Sequence, residues 1–368
     1  MTMGKKLCAV AWICLVLSVG CVPTRPFYPP EPAAATPTLI SEIPVVGGLS
    51  QDELATLSSL AQVDDYPLYT MRYHGAYAHR STGLRGGDQP SDWACSLFAA
   101  LGDPDNRQYG RNFDWQFSPA LLLFTDPPEG YASVSMVDIA YLGFTGDRAD
   151  DLIDSPLEER RALLGAPFLP FDGMNEHGLA VGMAAVPPGE MPPDPARETI
   201  GSLGIIRQML DRARDVDEAL AILQSYNIDM GGGPALHYLL ADPSGRALLI
   251  EFYQGEMVVT PNDGPWHQAT NFVRAAAPGS AAGECWRYDK IEQRLSAAGG
   301  RLTVQQAMSL LDDVSQPGTQ WSVVYGLSSG CITVTMGRRY DQSHTFHLEL
   351  AAGITPWTQV RIGPAAGR

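Results

Sequence analysis

The spacing of apolar side chains along the chain predicts four helices. Leu54, Leu57 and Leu60 recur at helical intervals after Ser50 and Glu53, which have the spacing of a capping box. The first helix is therefore predicted to begin directly after Ser50. The same periodicity predicts three more helices, over residues 203–213, 216–226 and 304–314, the last with Thr303 as its N-cap.

Alternation of apolar and polar residues predicts strands in much of the remaining chain. Residues 237–241 and 247–253 flank the turn sequence Asp-Pro-Ser-Gly, which predicts a β-hairpin. Similar segments predict strands over residues 67–77, 256–260, 321–325, 331–336 and 344–350. Antiparallel strands with helices gathered in blocks favour an α+β layered fold over a doubly wound parallel sheet.

The start of the chain has the pattern of a secretory signal peptide over residues 1–20. Lys5 and Lys6 precede an apolar run that is too short for a membrane span of about 20 residues. The run ends at Cys21 in a sequence similar to the lipobox of bacterial lipoproteins, although Ser18 stands where leucine is usual. We therefore expect export, lipidation of Cys21 and anchoring at the outer face of a bacterial membrane. An ordinary cleaved signal, with Cys21 incidental, is the alternative.

Residues 21–48 are rich in proline, alanine and threonine, which is typical of a stiff, extended linker. Such a linker would hold the folded part of the chain away from the bilayer. A disordered tail is the alternative interpretation.

The excess of acidic over basic residues argues against polyanionic binding partners. The 368 residues include 25 Lys and Arg against 41 Asp and Glu, which gives a net charge of −16. Phosphate backbones and anionic lipid headgroups would repel such a protein, because binding to either depends mainly on Lys and Arg. We therefore expect no nucleic-acid partner, and membrane contact only through the N-terminal anchor. The sequence leaves a homo-oligomer open.

Three cysteines follow the linker, at Cys95, Cys285 and Cys331. An odd number in an oxidising compartment leaves at least one free thiol. Cys285 and Cys331 either form a disulfide or are two small buried side chains. Cys95 has the more informative sequence context.

Cys95 is followed by Arg111 and Asp114 within the sequence Gly-Arg-Asn-Phe-Asp-Trp. This arrangement resembles the start of the mature chain in N-terminal nucleophile hydrolases of the choloylglycine hydrolase and penicillin V acylase type, and in the related isopenicillin N acyltransferases and acid ceramidases. Later segments are similar to family motifs in the same order: Gly-Met-Asn-Glu-His-Gly-Leu at 173–179, Thr-Asn at 270–271, Arg287, and Trp-Ser-Val-Val-Tyr at 321–325. The resemblance implies a four-layer αββα fold, with two antiparallel sheets between helical layers, and hydrolysis of a linear non-peptide amide.

The residues themselves support such chemistry. After a cut between Ala94 and Cys95, one residue carries a thiol and an α-amine, whose unperturbed pKa values are about 8.5 and about 7.7–8.0. The amine can then act as general base without a histidine. Arg111 would favour the thiolate, and Asp114 would accept hydrogen bonds from the amine. A structural ion pair between Arg111 and Asp114 is the alternative.

The resemblance assigns roles to three further residues. The side-chain amide of Asn271 and the backbone N–H of Asn175 would form the oxyanion hole, and Arg287 would support the site from a second layer. Asn175 could instead be a turn residue, and Arg287 could form a salt bridge at a helix start.

Cys95 must be exposed by self-processing, because residues 22–94 separate it from the signal peptide. We predict attack of its thiol on the Ala94 carbonyl, an N-to-S acyl shift and hydrolysis. Acyltransferase relatives often have glycine where this chain has Ala94. The chain is thus divided into a signal peptide (1–20), a linker (21–48), a pro-segment or small subunit (49–94) and a catalytic domain (95–368).

Other kinds of site are less well supported by the residues. None of the seven histidines has the local sequence of a papain-like protease. His344 and His347, three apart on a predicted strand, face opposite sides and do not suit one zinc ion. Two alternatives remain for the whole protein: an exported lipoprotein that binds a small molecule without chemistry, and an acyltransferase with the same nucleophile.

The expected substrate is a small N-acyl amide, hydrolysed through a thioester on Cys95 without a cofactor or metal. Conjugated bile salts, phenoxyacyl penicillins, N-acyl homoserine lactones and N-acyl amino acids or lipids are all family substrates. Four aromatic residues are candidates for an apolar acyl pocket: Trp115, Phe117, Tyr141 and Phe144.

Overall fold

The computed structural model describes residues 48–77, 94–189, 191–231, 233–277 and 279–350. The predicted signal peptide, Cys21 and all of the linker except Gly48 lie outside the described residues. The same is true of residues 78–93 in the predicted pro-segment and of residues 351–368.

The described chain contains both helices and strands. The helices are α1 (Gln51–Ser58), α2 (Asp147–Asp150), α3 (Gly204–Arg212), α4 (Val216–Gln224), α5 (Trp286–Ala298) and α6 (Val304–Asp313), with 3₁₀ turns at Ile139–Leu142, Arg161–Phe168 and Arg274–Ala276. The strands are β1 (Ala61–Asp64), β2 (Leu68–Arg72), β3 (Ala94–Ala100), β4 (Gln108–Asp114), β5 (Ala120–Thr125), β6 (Ser133–Asp138), β7 (Asp172–Asn175), β8 (Ala180–Val186), β9 (Glu198–Gly201), β10 (Tyr226–Asp229), β11 (Ala235–Ala241), β12 (Ala247–Tyr253), β13 (Glu256–Pro261), β14 (Trp266–Ala269), β15 (Thr319–Gly326), β16 (Cys331–Met336) and β17 (His344–His347).

Two large sheets form the centre of the fold. The first has nine strands in the order β1-β2-β5-β6-β7-β8-β11-β12-β13, and the second has six in the order β14-β3-β4-β15-β16-β17. Helix α3 packs on β7 and β8 of the first sheet, whereas α5 and α6 pack on the second. Strands β3 and β8 contact each other across the two sheets. The resulting order of layers is helix, sheet, sheet, helix.

The expectation of purely antiparallel sheets is wrong at one pair within them. Strands β2 and β5 run parallel in the nine-stranded sheet, with Leu68 opposite Ala120. The chain leaves β2, forms β3 and β4 in the other sheet, and returns as β5 in the same direction. A parallel pair requires such a crossover, which the spacing of apolar residues did not show.

Close approach of the two sheets requires glycine at position 182. A Cβ atom added to Gly182 would lie 2.5 Å from Tyr109 Oη and 2.8 Å from Leu97 Cδ2. Leu97 and Tyr109 belong to β3 and β4, the hairpin that carries Cys95 and Arg111. The absence of a side chain at Gly182 therefore brings the nine-stranded sheet directly against this hairpin.

Several locally encoded elements are confirmed. Helix α1 begins after Ser50, whose Oγ accepts from the Glu53 N–H at 3.2 Å while Glu53 Oε2 accepts from the Ser50 N–H at 2.7 Å. Thr303 caps α6 in the same way. The predicted hairpin is formed by β11 and β12. The strands predicted over 67–77 and 344–350 are shorter in the structure, as β2 and β17.

One open question from the sequence, the pairing of two cysteines, is settled for the described residues. Cys285 and Cys331 are both free thiols, so they do not form a disulfide. No group of three or more His, Cys, Asp or Glu side chains in this part of the chain is arranged to hold a metal ion. Among its helices, none combines the length and apolar character needed to span a membrane.

Candidate active site

Cys95 is the second residue of β3 and is completely buried. Strand β3 lies between β14 and β4, and its register with β4 sets Cys95 opposite Phe113 and Leu97 opposite Arg111. Side chains alternate along a strand, so Arg111 projects from the same face as Cys95. Asp114, three residues further on, projects from the opposite face.

Arg111 is fully buried beside the thiol. Its Nη2 lies 3.8 Å from Cys95 Sγ and donates to the Met183 carbonyl at 3.2 Å. Its Nη1 forms a buried salt bridge with Asp172 of β7, and the guanidinium lies 5.0 Å from the centre of the Phe113 ring. The alternative of a structural ion pair between Arg111 and Asp114 is therefore wrong, since Asp172 is the carboxylate that Arg111 binds.

Asn271 follows β14 and contacts the backbone of Cys95. Its Oδ1 accepts from the Cys95 N–H at 2.6 Å and from Arg287 Nη2 at 2.9 Å. Its Nδ2 donates to the Ala185 carbonyl at 2.8 Å. In the uncut chain Asn271 thus holds the nitrogen that would become the α-amine, and its role in an oxyanion hole stays a prediction.

Arg287 lies in the first turn of α5 and reaches the same strand. Its Nη1 donates to the Cys95 carbonyl and, at 2.9 Å, to Ser96 Oγ. It also lies 3.9 Å from Asp114 Oδ2. Instead of forming a salt bridge within its own helix turn, Arg287 connects Cys95, Asn271 and Asp114.

Asp114 is held from the neighbouring strand. Thr319 Oγ1 of β15 donates to Asp114 Oδ1 at 2.5 Å. The other oxygen, Oδ2, is buried and has no hydrogen-bond partner among the described residues. This oxygen is therefore free to accept a hydrogen bond from a group that enters the site.

Asn175 lies apart from this group of residues, at the end of β7. Its Nδ2 donates to the carbonyls of Leu210 and Ala213 at 3.0 and 2.7 Å, where α3 ends. Its backbone N–H donates to the Leu179 carbonyl at 3.0 Å. The structure places Asn175 in a turn between β7 and β8, with its N–H already bound, so its predicted part in the oxyanion hole stays untested.

Burial shifts the pKa values of two groups in the site, the Cys95 thiol and the Asp114 carboxyl group. Burial raises the pKa of the Cys95 thiol above its ordinary value, against the opposing effects of Arg111 and Arg287. Burial also raises the pKa of Asp114 to about 7, despite the hydrogen bond from Thr319 and the positive charge of Arg287. Near neutral pH the uncut chain therefore keeps a neutral thiol next to a carboxyl group that is poised to titrate.

The aromatic candidates for the acyl pocket occupy different environments. Phe144 and Trp115 are buried, and Tyr141 is half-buried with its ring 5.5 Å from that of Phe171. Phe117 is 42% exposed and packs edge-on against Tyr66. A role for these four residues in an acyl pocket stays a prediction.

Sequence reasoning missed three side chains that complete the site. Asp172 binds Arg111, Thr319 binds Asp114, and Tyr325 donates from its hydroxyl to Asp172. Asp172 directly precedes the Gly-Met-Asn-Glu segment, and Tyr325 is the last residue of the Trp-Ser-Val-Val-Tyr segment, so one borders and the other lies in a segment that the sequence had indicated. The site thus draws on β3, β4, β7, β15, α5 and the segment after β14.

Comparison with known proteins identifies this arrangement. Residues 95–272 match the family described as linear amide C-N hydrolases, choloylglycine hydrolase family. These residues belong to that family. The match begins at Cys95, the residue at the centre of the site. The chain is a hydrolase that acts on carbon–nitrogen bonds other than peptide bonds.

Solved structures show the same fold. A mutant conjugated bile acid hydrolase from Clostridium perfringens superposes with a TM-score of 0.50 at 14% identity, over 73% of this chain and 97% of that one. A second variant of the same enzyme gives a TM-score of 0.50 at 14% identity, over 74% and 99% of the two chains. A penicillin V acylase from Agrobacterium tumefaciens gives 0.46 at 14% identity, over 68% and 84%. No sequence among the curated proteins matches the chain. The predicted α+β fold of the choloylglycine hydrolase family is thereby confirmed.

Proposed function

We propose that this choloylglycine hydrolase family member processes itself before Cys95 and then hydrolyses N-acyl amides through a thioester on that residue. The observation that carries the proposal is the convergence of Arg111, Asn271 and Arg287 on Cys95. These three side chains contact the thiol, the backbone nitrogen and the carbonyl of one residue. A cysteine that served only to fill the core would need none of these contacts.

Processing would begin at the Ala94 carbonyl. The Cys95 thiol attacks this carbon, the thiol proton passes to the departing amide nitrogen, and the peptide bond is exchanged for a thioester. Water then hydrolyses the thioester, which leaves a carboxylate on Ala94 and a free thiol and amine on Cys95. The hydrogen bond from the Cys95 N–H to Asn271 Oδ1 supports this step, because it fixes the nitrogen that must leave.

Amide hydrolysis would repeat the same chemistry on a substrate. The freed α-amine takes the thiol proton, the sulfur attacks the acyl carbon, and the proton goes to the departing amine of the substrate. Water attacks the acyl-thioester, with the α-amine again accepting a proton, and releases the acid. Asp114 Oδ2 supports this cycle, because its free acceptor position can orient the amine.

The substrate class follows from the same site. A net charge of −16 disfavours polyanionic substrates, and Trp115 and Phe117, which follow β4 in the chain, suit an apolar acyl group. The names of the structural neighbours, a conjugated bile acid hydrolase and a penicillin V acylase, are compatible with small N-acyl amides. An acyltransferase would differ only in using another acceptor in place of water. We further propose export through the signal peptide and anchoring by a lipid on Cys21, with no other membrane contact.

Intact-mass analysis of the purified full chain tests the proposal. We expect two polypeptides, the larger beginning at Cys95, together with release of amine from a panel of N-acyl amides of varied chain length. Mature protein incubated with a free amine as acceptor separates the transferase alternative, which predicts a new amide product. A single unbroken chain that binds the panel without hydrolysing it would establish the binding-protein alternative instead.

After the cut, we expect the pro-segment to remain bound as a small subunit. Strand β2 is inserted between β1 and β5 of the nine-stranded sheet, and Leu57, Leu68 and Met71 are buried in the core. Such a fragment cannot leave without exposing apolar surface and breaking a ladder of backbone hydrogen bonds.

Polar contacts extend the same interface. Asp64 accepts from Arg339 and, at 2.6 Å, from His344 Nε2, and Tyr77 donates to Asp211 at 2.9 Å. Native size-exclusion chromatography of the cut protein should therefore give one peak at the volume of the uncut Cys95→Ala chain. The two fragments should separate only in denaturant. Elution of the small fragment alone under native conditions would contradict this expectation.

A further inference from the structure

The group that holds Arg111 is Asp172, a residue of the opposite sheet. Asp172 is the first residue of β7 and is completely buried. One of its carboxylate oxygens binds Arg111 Nη1, and the other accepts from the Tyr325 hydroxyl of β15. Both oxygens are thus bound by groups from the six-stranded sheet, although β7 belongs to the nine-stranded one.

We propose that Asp172 is a positioning residue for Cys95, an inference that rests on the proposed function of Cys95. Asp172 fixes Arg111 beside the Cys95 thiol and partly offsets the positive charge of the guanidinium. The contact between Arg111 Nη2 and Cys95 Sγ, at 3.8 Å, is the means by which Asp172 acts. Asp172 itself contacts neither the thiol nor the backbone of Cys95 in the contacts described above.

The purpose of this arrangement follows from electrostatics. A guanidinium without a counter-charge, buried beside a thiol, strongly favours the thiolate. A carboxylate on its far side weakens that effect and leaves the sulfur as a neutral thiol, ready to give its proton to the α-amine. Asp172 thus determines whether the nucleophile is activated by the amine or exists as a permanent thiolate.

Arg111 has other contacts that keep it in place when Asp172 loses its charge. Nη2 donates to the Met183 carbonyl, and the guanidinium lies against the rings of Phe113 and Trp321, at 5.0 and 5.9 Å. An asparagine at position 172 still offers an oxygen to Nη1. Asp172→Asn is therefore expected to remove the charge and leave the geometry largely intact.

The charged and titratable groups around the thiol limit what else can act on it. Arg111 lies on the same face of the sheet as the thiol, and the charges of Asp114 on β4 and Arg287 on α5 also act on it. Burial and the charge of Asp172 raise the pKa values of Tyr325 and Tyr109, and both tyrosines also interact with the charge of Arg111. Of the two tyrosines, only Tyr325 donates a hydrogen bond to Asp172 among the described contacts.

The test is a titration of the Cys95 thiol in the mature, cut protein obtained from the full chain and labelled with [3-¹³C]cysteine. The Cys95 signal is identified as the one that is absent from Cys95→Ala. Asp172→Asn should move the titration midpoint down by about one pH unit, because the guanidinium charge is no longer offset. Tyr325→Phe should move it up by a few tenths of a unit, because the hydroxyl no longer withdraws charge from the carboxylate. Tyr238→Phe is the matched control: its hydroxyl is equally buried but donates to the Ser202 carbonyl, and its midpoint should equal the native one.

Opposite shifts in the two variants distinguish this role from a purely structural one, since a loosened site would move both midpoints in one direction. An unchanged midpoint in Asp172→Asn, or shifts of the same sign, would overturn the inference. If Asp172→Asn does not fold or is not cut, the milder variant Tyr325→Phe still tests the inference, because its titration midpoint must move up. The titration needs no substrate, so an inactive protein with these midpoints would refute the proposed function and leave the role of Asp172 standing.

Discussion

Replacing Cys95 with alanine is expected to leave the chain in one piece and to abolish amide hydrolysis. The proposal makes this sulfur the nucleophile in both reactions, so its loss should lower each rate by on the order of 10⁴-fold or more. The fold should be preserved, because alanine fits the buried position on β3 and the backbone contacts with Asn271 and Arg287 do not involve the thiol. Intact mass reports the cut, and release of amine from an N-acyl amide reports hydrolysis.

Cys95→Ser tests whether both reactions need sulfur as the nucleophile. A serine keeps the α-amine and an oxygen nucleophile, but its hydroxyl is far less acidic than a thiol, so processing and hydrolysis should both be strongly slowed. Cys285→Ala and Cys331→Ala are the matched controls, since both residues are also free thiols and should be dispensable. A fully active Cys95→Ala protein, or loss of activity in all three cysteine variants, would refute the assignment of the nucleophile.

The features that sequence predicted well are those encoded by neighbouring residues. The capping box at Ser50 and the N-cap at Thr303 depend on side chains within three positions of the helix start, and both are formed. The spacing of Cys95, Arg111 and Asp114 is also local in effect, because β3 and β4 are adjacent antiparallel strands. Register along one hairpin was enough to bring Arg111 to the side chain of Cys95, with Asp114 on the opposite face of the same strand end.

The features that sequence did not predict depend on contacts between distant elements. Asp172 reaches Arg111 from the other sheet, and no periodicity in either segment indicates that pairing. Strand β5 is buried along its whole length and so lacks the alternation that marks a half-exposed strand. Helix α5 was missed because only Arg287, Ile291 and Leu295 of its 13 residues are buried, which gives a weak apolar stripe.

The resemblance to family motifs indicated site residues that local chemistry alone did not. The order of the family motifs indicated Asn271 and Arg287, and the structure brings both to Cys95. The same reasoning placed the backbone N–H of Asn175 in the oxyanion hole, whereas that N–H is bound to Leu179 here. The role of Asn175 in the oxyanion hole therefore stays a prediction.

Replacing Asp114 with asparagine is expected to slow amide hydrolysis by roughly 100- to 1000-fold. Burial raises the pKa of Asp114 to about 7, so the carboxylate that can orient the α-amine forms only as the pH rises through that value. The native rate should therefore increase through about pH 7, and Asp114→Asn should lose this limb of the profile. Rates of amine release measured from pH 5 to pH 9 give both results.

Asp114→Asn, which is expected to lower the rate, is expected to raise the stability of the fold above neutral pH. The folded-state pKa of about 7 lies above the ordinary value of 3.8, so the folded chain binds the proton more tightly than the unfolded chain. The resulting stabilisation is complete below about pH 4 and is lost as the pH rises to about 7. Asp114→Asn removes a buried carboxylate, and at pH 8 it should unfold at a higher urea concentration than the native protein.

Asp138 provides the control, because burial raises its pKa to about 7 as well. It accepts from the Ala140 N–H at the end of β6 and is not one of the groups that contact Cys95. Asp138→Asn should therefore alter the pH dependence of stability and leave the activity limb near pH 7 unchanged. A rate profile that lost the limb in Asp138→Asn and kept it in Asp114→Asn would show that the ionisation of Asp114 does not control the reaction. A carboxylate that costs stability and raises the rate has been retained for its chemistry, and comparison of the two substitutions decides whether Asp114 is such a group.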